Sequence, residues 1–361
     1  MQLISRCRSF GVAALVFAAS FTHARAQSTE VSAGTRGGLY VDSDHTTIIT
    51  SATEATARFD QRWQVGARYL ADVVSSASID VVTQGSVTFD DLRHDFGGSA
   101  GYRDDDGTSI LGSYSRSTEN DWQSNNVALS GGVDLLERNL SLSLSLAFQD
   151  NTITRSDTFG FERKLQSYLG NAAASYTLSP RDLLYVALAV SYNDGFQASP
   201  YRYITVQQLG YAENVPDQRT RVALVGRYHR DLGKNTSLRT HLRLYTDTYG
   251  IASLTGGAEL AYERDAFDVM AMARGYAQTS ASFYRGSYGS QQRYMTLDKE
   301  LSTFWDVFVG GAVGWTFSEV SPLSRVRLEA RVMANYFHFI DFVRLRERYG
   351  LTVTLGISGD L

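Results

Sequence analysis

The chain has little cysteine and little proline, and it has no long apolar run. Its 361 residues include one cysteine, Cys7, and four prolines. Because Cys7 lies in the N-terminal leader described below, the mature chain has no cysteine, which excludes disulfides and thiolate metal sites. No later run approaches the roughly eighteen apolar residues that a transmembrane helix needs. Twenty-one tyrosines and thirty-one glycines favour strands and turns over helices.

The N-terminus has the pattern of a secretory signal peptide. Two arginines precede an apolar stretch, Phe10–Phe21, and Ala24-Arg25-Ala26 forms a small-x-small cleavage site. We predict cleavage between Ala26 and Gln27. The alternative is an N-terminal membrane anchor, but a dozen apolar residues are too few to cross ~30 Å of hydrocarbon. Cys7 is not at a cleavage position, which argues against a lipoprotein.

The mature chain, residues 27–361, is predicted to form one acidic domain. No linker, low-complexity tract or shift in composition divides it. The leader holds three of the 34 Lys and Arg residues, so 31 remain against 38 Asp and Glu residues, a net charge of −7. A nucleic-acid partner would require a basic face, so this balance argues against one.

Apolar and polar residues alternate with a period of two along most of the chain. The clearest stretch is Leu140–Phe148, which reads Leu-Ser-Leu-Ser-Leu-Ser-Leu-Ala-Phe. This period places the two sets of side chains on opposite faces of a strand. In a water-soluble sheet the apolar face needs a covering layer, and no helical segment is available to provide it. Lipid can cover that face, so the pattern predicts an all-β, antiparallel transmembrane β-barrel.

Breaks between the alternating segments come in two sizes. Short polar turns alternate with longer breaks near Ser75–Ser86, Asn151–Phe161, Gln197–Asp217 and Arg285–Met295. Short turns at one rim and long loops at the other are typical of bacterial outer-membrane barrels, whose short turns are periplasmic. Counting the segments predicts about sixteen strands, within a range of fourteen to eighteen. The rival fold is a soluble periplasmic β-sandwich or solenoid.

Three tryptophans are candidates for the aromatic girdles at the lipid boundaries. Trp63 begins one outward face, and Trp305 and Trp315 share another, ten residues apart. Ten residues at ~3.3 Å, tilted by ~40°, cover roughly 25 Å, the height of a barrel's apolar band. The alternative is that they are ordinary core tryptophans. The girdle interpretation implies outer-membrane lipid as a partner.

The last strand carries a candidate assembly signal. Residues Tyr349–Ile357 alternate in polarity, like the C-terminal strand that the barrel-assembly machinery recognises in outer-membrane proteins. The chain ends in Leu361, whereas the common pattern ends in an aromatic residue. We therefore expect the barrel-assembly machinery to be a partner.

Several segments resemble a bacterial family of outer-membrane barrels that carries only a domain-of-unknown-function label. The matching segments are Tyr69–Ser78, Tyr192–Phe196 followed by Pro200-Tyr201-Arg202, Pro216–Arg221 and Ala281–Tyr284. The resemblance runs over most of the mature chain. It implies a membrane barrel that is often encoded beside small lipoproteins and redox-related proteins. It implies no reaction, no cofactor and no functional residue.

The inward faces of the later strands are rich in arginine. If the registers are right, these residues face the lumen, together with one glutamate: Arg219, Arg221, Arg227, Arg239, Arg243, Arg274, Arg327, Glu329 and Arg331. A row of guanidinium groups on one wall would attract anions to a pore. The alternative is that the arginines pair with inward carboxylates and stiffen the wall, since buried charges need partners.

No catalytic or metal site is predicted. Gly97–Gly101 matches the nucleophile-elbow pattern of hydrolases, but that motif needs a strand, a turn and a helix, and no helix follows. His94 with Asp95, or His338 with Asp341, could serve a barrel hydrolase, although such neighbours are common by chance. No histidine spacing indicates a metal.

These patterns leave three hypotheses for function. The first is a passive pore or transport component for small solutes, anion-favouring because of the arginines. The second is a non-conducting outer-membrane scaffold that partners a small lipoprotein, within a polysaccharide-export or redox-related system. The third, ranked well below both, is a barrel hydrolase. The tyrosine-rich loop Gln197–Asp217 either folds into the barrel as a constriction or faces a ligand outside.

Overall fold

The computed structural model describes residues 29–76, 89–320 and 323–361. Sixteen of its strands form one closed antiparallel barrel, which confirms the predicted fold class and strand number. Among the described residues, no helix is long and apolar enough to cross a membrane. The predicted signal peptide, with its cleavage site at Ala26 and Gln27, lies outside the described residues.

The strands follow one another around the barrel, except that β12 pairs with β9, because β10 and β11 form a separate hairpin. Their bounds are β1 Thr29–Asp42, β2 Thr46–Phe59, β3 Trp63–Ser76, β4 Phe89–Arg103, β5 Ser109–Thr118, β6 Trp122–Leu135, β7 Leu140–Thr154, β8 Glu162–Ser179, β9 Asp182–Gly195, β10 Tyr203–Val206, β11 Leu209–Ala212, β12 Gln218–Gly233, β13 Thr236–Asp247, β14 Ala252–Arg264, β15 Phe267–Gln278, β16 Phe304–Val320, β17 Leu323–Phe339 and β18 Glu347–Asp360. Within the described ranges, Lys299–Leu301 forms a short 3-10 helix.

The alternating pattern places apolar side chains on the outer wall and small or polar ones on the lumen side. Leu144 and Leu146 are 52% and 53% exposed on the outer wall, while the serines between them point inward. The three girdle candidates also lie on the outer wall. Trp63 packs against Tyr102 near one rim, with ring centroids 4.8 Å apart, and Trp315 packs against Phe267 at that same rim.

A second aromatic belt lies near the opposite rim. Trp305 contacts the Tyr336 ring at 5.4 Å, and Tyr336 contacts Tyr349 at 5.0 Å. Further around the wall, Phe148 and Tyr168 are 5.1 Å apart. Two aromatic belts separated by an apolar band are the arrangement of membrane barrels.

Connections between strands alternate between two rims. The short-turn rim carries residues 60–62, 104–108, 136–139, 180–181, 234–235 and 265–266, and the opposite rim, which we call the mouth, carries 43–45, 119–121, 155–161, 196–217, 248–251, 279–303 and 340–346. The long breaks predicted within the described residues all lie at the mouth, but three mouth connections are short. Among the connections that the structure describes in full, the long ones are those at residues 155–161, 196–217, 279–303 and 340–346 of the mouth.

Turn chemistry and pairing close the barrel. Lys234 and Asn235 have φ angles of 52° and 66°, the left-handed conformation that a two-residue hairpin turn between twisted strands requires. The last strand pairs with the first, from Ser32 opposite Asp360 to Asp42 opposite Gly350. The barrel therefore has no free sheet edge, which open sheets must otherwise protect.

Candidate functional site

The lumen is the candidate functional site, and the predicted arginines reach it. On each strand they alternate with outward apolar residues such as Leu242 and Leu244. The structure places all of them on the lumen side: Arg219, Arg221, Arg227, Arg239, Arg243, Arg274, Arg327, Glu329 and Arg331. They differ in whether a carboxylate lies close enough to offset the guanidinium charge, and this decides how much net charge the lumen wall carries.

Most of these arginines form ion pairs. Arg274 donates to Asp306 at 2.8 Å, and Arg219 donates to the buried carboxylate of Asp247 at 2.5 Å. Arg331 lies 3.3 Å from Glu329, and Arg239 lies 3.9 Å from Glu259. For these residues the pairing interpretation holds, because each guanidinium charge is offset by a nearby carboxylate.

Arg327 makes the strongest of these pairs, and a glycine permits it. Its two terminal nitrogens donate to the two oxygens of Asp268, at 2.6 and 3.0 Å. The two residues lie on β17 and β15, so the contact crosses β16 above Gly314. A Cβ at Gly314 would collide with both groups. Bidentate arginine–carboxylate pairs are both strong and geometrically specific.

Three arginines remain without a carboxylate partner. Within the described part of the chain, Arg221, Arg227 and Arg243 form no ion pair within 4.0 Å. The guanidinium of Arg227 lies 5.4 Å from the ring centroid of Tyr185, and that of Arg243 lies 5.0 Å from Tyr245. Stacking on a ring leaves the positive charge in place. These three residues are therefore the free cations of the lumen wall on β12 and β13; on the opposite wall Arg36 of β1, which faces the lumen, likewise forms no ion pair among the described residues.

The opposite part of the wall carries most of the unmatched carboxylates. A cavity of about 500 Å³ lies along β17, β18 and β1–β4, and its lining includes Arg36, Glu54, Arg68 and Asp95. Arg68 pairs with Asp95 at 3.4 Å, although Glu54 is its cross-strand neighbour on β2. In the same way Arg93 is the cross-strand neighbour of Asp72, but it forms its ion pair with Glu119.

Between these two regions the wall carries charge only near its rims, at Asp134 and Arg163. Strands β5–β9 present a few larger side chains to the lumen, including Leu111, Leu169 and Tyr185. Most of their inward side chains are small: Ser109, Ser113, Ser115, Ser117, Ser124, Asn126, Ala128, Ser130, Ser141, Ser143, Ser145, Ala147, Ser167, Asn171, Ala173, Ser175, Ala187, Ala189, Ser191 and Asn193. Such side chains leave space in the lumen and supply hydroxyl and amide groups without charge.

Two loops interlock over the mouth, and together we call them the lid: residues 196–217, which contain the β10–β11 hairpin, and residues 279–303. Asn214 and Met295 exchange backbone hydrogen bonds of 3.1 and 2.8 Å. Beneath them the side chains form a small core of Ile204, Val206, Tyr288, Met295 and Leu297. A shared apolar core means that the two loops move as one unit.

A polar network ties the same two loops. Arg202 donates to Glu213 at 3.0 Å and lies 3.3 Å from Asp298 of the other loop. Glu213 also accepts from the hydroxyl of the fully buried Thr296, at 2.5 Å. Each buried charge therefore has a partner, as burial requires.

The lid is anchored on both sides of the mouth. At one side Lys299 donates to Asp44, in the β1–β2 turn, at 2.9 Å, and both side chains are buried. At the other side Tyr201 accepts from the backbone N–H of Ser156 at 3.1 Å, and its hydroxyl bonds the carboxylate of Asp121. The anchors belong to connections about a quarter of the ring apart, so the lid crosses the mouth. The loop Gln197–Asp217 thus packs against other loops at the rim.

Three carboxylates meet beside the Asp121 anchor. One oxygen from each of Asp91, Glu119 and Asp121 lies within 4.8 Å of the others, and Arg93 lies 3.6 Å from Glu119. Burial raises the pKa of Glu119 to about 7, with the charge of Asp91 adding to the rise and Arg93 opposing it. Burial likewise raises the pKa of Asp121. Sequence reasoning missed this group, because the β4–β5 register brings together residues that are far apart in the chain.

Glu119 predicts a pH dependence of ion selectivity. Since its pKa is about 7, it gains negative charge as pH rises from about one unit below that value to one unit above. The anion-to-cation permeability ratio is expected to fall over that range, and Glu119→Gln is expected to flatten the fall. Reversal potentials at a series of pH values measure this. The exposed Glu162, at the same rim, provides the control Glu162→Gln, and a Glu119→Gln profile identical to that of wild type would contradict the assignment.

The hydrolase candidates do not assemble into a site. Gly97–Gly101 lies inside β4 and pairs with both neighbouring strands, so it does not form the sharp strand-to-helix turn of a nucleophile elbow. His94 and Asp95 alternate on β4 and face opposite sides of the wall, with His94 bonded to Tyr69 at 2.8 Å. His338 packs on Trp305 at the outer wall.

Comparison with solved structures supports an outer-membrane location. The chain is similar to "Bacterial polysaccharide outer membrane secretin", with a TM-score of 0.53 and 11% identity, covering 92% of this chain and 98% of that one. It is also similar to "CdiB from Acinetobacter baumannii", with a TM-score of 0.53 and 10% identity, covering 90% of this chain and 60% of that one. At such identities the likeness shows the fold alone. The closed barrel and these neighbours place the protein in the bacterial outer membrane.

Sequence comparison finds a family match over part of the chain. No curated protein matches the chain. Residues 162–338 match the family described as "Protein of unknown function (DUF3570)". The predicted resemblance to an outer-membrane barrel family of unknown function is therefore confirmed. Over residues 162–338, this outer-membrane β-barrel carries the sequence pattern of the DUF3570 family.

Proposed function

We propose that the protein is a passive outer-membrane pore for small solutes, with a preference for anions. The observation that carries the proposal is the set of free cations Arg221, Arg227 and Arg243, which face the lumen of a closed sixteen-stranded barrel without carboxylate partners. A barrel of this strand number encloses a wide lumen. Fixed positive charge along one wall raises the local anion concentration.

The proposed pore needs no catalytic step and no cofactor. Its partners are outer-membrane lipid around the wall and, during assembly, the barrel-assembly machinery acting on the last strand. Solutes would enter between the wall and the lid, whose two loops are tied together and to the rim. The lid therefore controls the rate at which solutes reach the charged wall.

A non-conducting scaffold is the second candidate, and the lid is the observation that favours it. Two loops joined by a shared core and anchored at both sides of the mouth support a permanently closed barrel. In that case the short-turn rim would hold a periplasmic partner such as a small lipoprotein.

Single-channel recording separates the two candidates. Mature protein is purified in detergent, and heat-shifted gel mobility establishes that the barrel is folded. In a planar bilayer, the pore proposal predicts steady conductance steps and a reversal potential on the anion side in a salt gradient. Folded protein that gives no steps would favour the scaffold, and a cation-selective reversal potential would refute the anion preference.

A further inference from the structure

Unmatched charges of opposite sign lie on opposite walls of the lumen. On β12 and β13 the inward arginines outnumber the carboxylates: Arg219, Arg221, Arg227, Arg239 and Arg243 against Asp231 and Asp247. Arg58 and Arg103 lie at the short-turn rim of β2 and β4. Above that rim the carboxylates of β2–β4 outnumber the arginines, and Arg36 of the neighbouring β1 lowers the surplus to one: Glu54, Asp72, Asp91 and Asp95 against Arg36, Arg68 and Arg93. Ion pairing within each wall therefore leaves a surplus of one sign.

The strand order places these two surpluses across the pore from each other. In the ring of sixteen, β13 lies eight positions from β3, and β12 lies eight positions from β2. Strands half a ring apart face each other across a closed barrel. Strands β5–β9, whose inward charges Asp134 and Arg163 lie near the rims, fill one side of the lumen between the two walls.

Each wall carries one of these charges nearer the mouth and one deeper in the lumen, which makes two tiers. Arg243 and Asp72, the tier nearer the mouth, each lie four residues from the mouth end of their strand. In the deeper tier Arg227 is the cross-strand neighbour of His241, two residues below Arg243, and Glu54 is the cross-strand neighbour of Arg68, four residues below Asp72. At ~3.3 Å per residue the spacing of the two tiers therefore differs by about two residues between the walls.

Resting on the pore proposed above, we infer that the lumen selects small zwitterions, solutes that carry an ammonium and a carboxylate on one short chain. The transverse field orients such a solute with its carboxylate toward Arg227 and Arg243 and its ammonium toward Glu54 and Asp72. Because the arginine wall carries the larger surplus, a simple anion is still favoured over a simple cation, but it is repelled by the carboxylate wall. A neutral solute gains from neither wall. The two successive tiers let the oriented solute pass from one to the next.

A pair of isomers tests the inference. γ-Aminobutyrate is a zwitterion, and γ-hydroxybutyramide is a neutral compound with the same molecular formula. Proteoliposomes that contain the full mature protein are placed in each solute, and swelling rates are corrected for protein-free vesicles. The wild type is expected to admit the zwitterion about threefold faster than its neutral isomer, a preference of ~0.7 kcal/mol.

Charge-neutral variants remove one tier or both without changing the net charge. Arg243→Gln with Asp72→Asn is expected to reduce the preference, and adding Arg227→Gln with Glu54→Gln is expected to abolish it. The control, Arg116→Gln with Asp150→Asn, removes the same two groups from outward positions on β5 and β7 and should retain the wild-type ratio. Heat-shifted gel mobility checks that each variant folds. If the four-residue variant does not fold, the two-residue variant alone tests the inference.

The outcomes separate this inference from the pore itself. Equal swelling by the two isomers in the wild type, or a preference that survives in the folded variants, would overturn zwitterion selection and leave the pore standing. If neither isomer enters through the protein, the pore proposal fails, and this inference fails with it.

Discussion

Replacing Lys299 by methionine is expected to raise the single-channel conductance several-fold. Lys299 holds the lid to the β1–β2 turn through a buried 2.9 Å ion pair with Asp44. Without the lysine, the buried Asp44 carboxylate loses this ion pair, and removing one partner of a buried pair costs roughly 3–5 kcal/mol. The lid can avoid that cost by lifting from the rim, where water solvates the carboxylate. Recordings in planar bilayers would show larger steps or longer open times.

Two matched variants test that explanation. Lys299→Met combined with Asp44→Asn removes both charges, so it should return the conductance most of the way to wild type. Lys164→Met breaks an exposed pair with Glu162, 3.8 Å apart at the same rim, and such pairs contribute at most ~1 kcal/mol. Wild-type conductance in folded Lys299→Met protein would contradict the role of the lid as the barrier at the mouth.

The barrel could be predicted because lipid on one face and water on the other require every strand to alternate apolar and polar side chains. A residue in the wall faces either lipid or water, so Leu140–Phe148 must alternate. The rule operates residue by residue and needs no knowledge of which strands are neighbours. Strand number followed from counting such segments, and the aromatic belts were indicated by Trp305 and Trp315 for the same reason.

The lid and the ion pairs were not predictable, because they depend on contacts between distant parts of the chain. Asn214 meets Met295 only because their loops rise from different strands and converge. Arg327 reaches Asp268 across a whole strand, and Gly314 makes room for it. Nothing in the sequence around Arg327 distinguishes it from the unpaired Arg227. The tyrosines of the 197–217 loop were the available signal for the lid, but tyrosines in barrel loops are equally typical of aromatic girdles, so they did not predict it.

Replacing both Arg227 and Arg243 by glutamine is expected to bring the anion-to-cation permeability ratio to unity or below. These two residues and Arg221 are the free cations of β12 and β13, so the double variant removes two charges that no carboxylate offsets. Their tyrosine neighbours supply packing and do not replace the charge. Reversal potentials in a salt gradient measure the ratio, and lowering the salt concentration should enlarge the difference from wild type, because screening weakens.

The matched control also removes two charged groups from the lumen but leaves the net charge unchanged. Arg327→Gln with Asp268→Asn removes a bidentate pair whose members offset each other, so it should change the ratio little. If the number of arginines set the selectivity, removing Arg327 from the wall would matter as much as removing one free cation. If the unmatched charge sets it, only the Arg227 and Arg243 variant shifts the reversal potential. A similar shift in both variants would therefore refute the assignment of anion preference to the unpaired arginines.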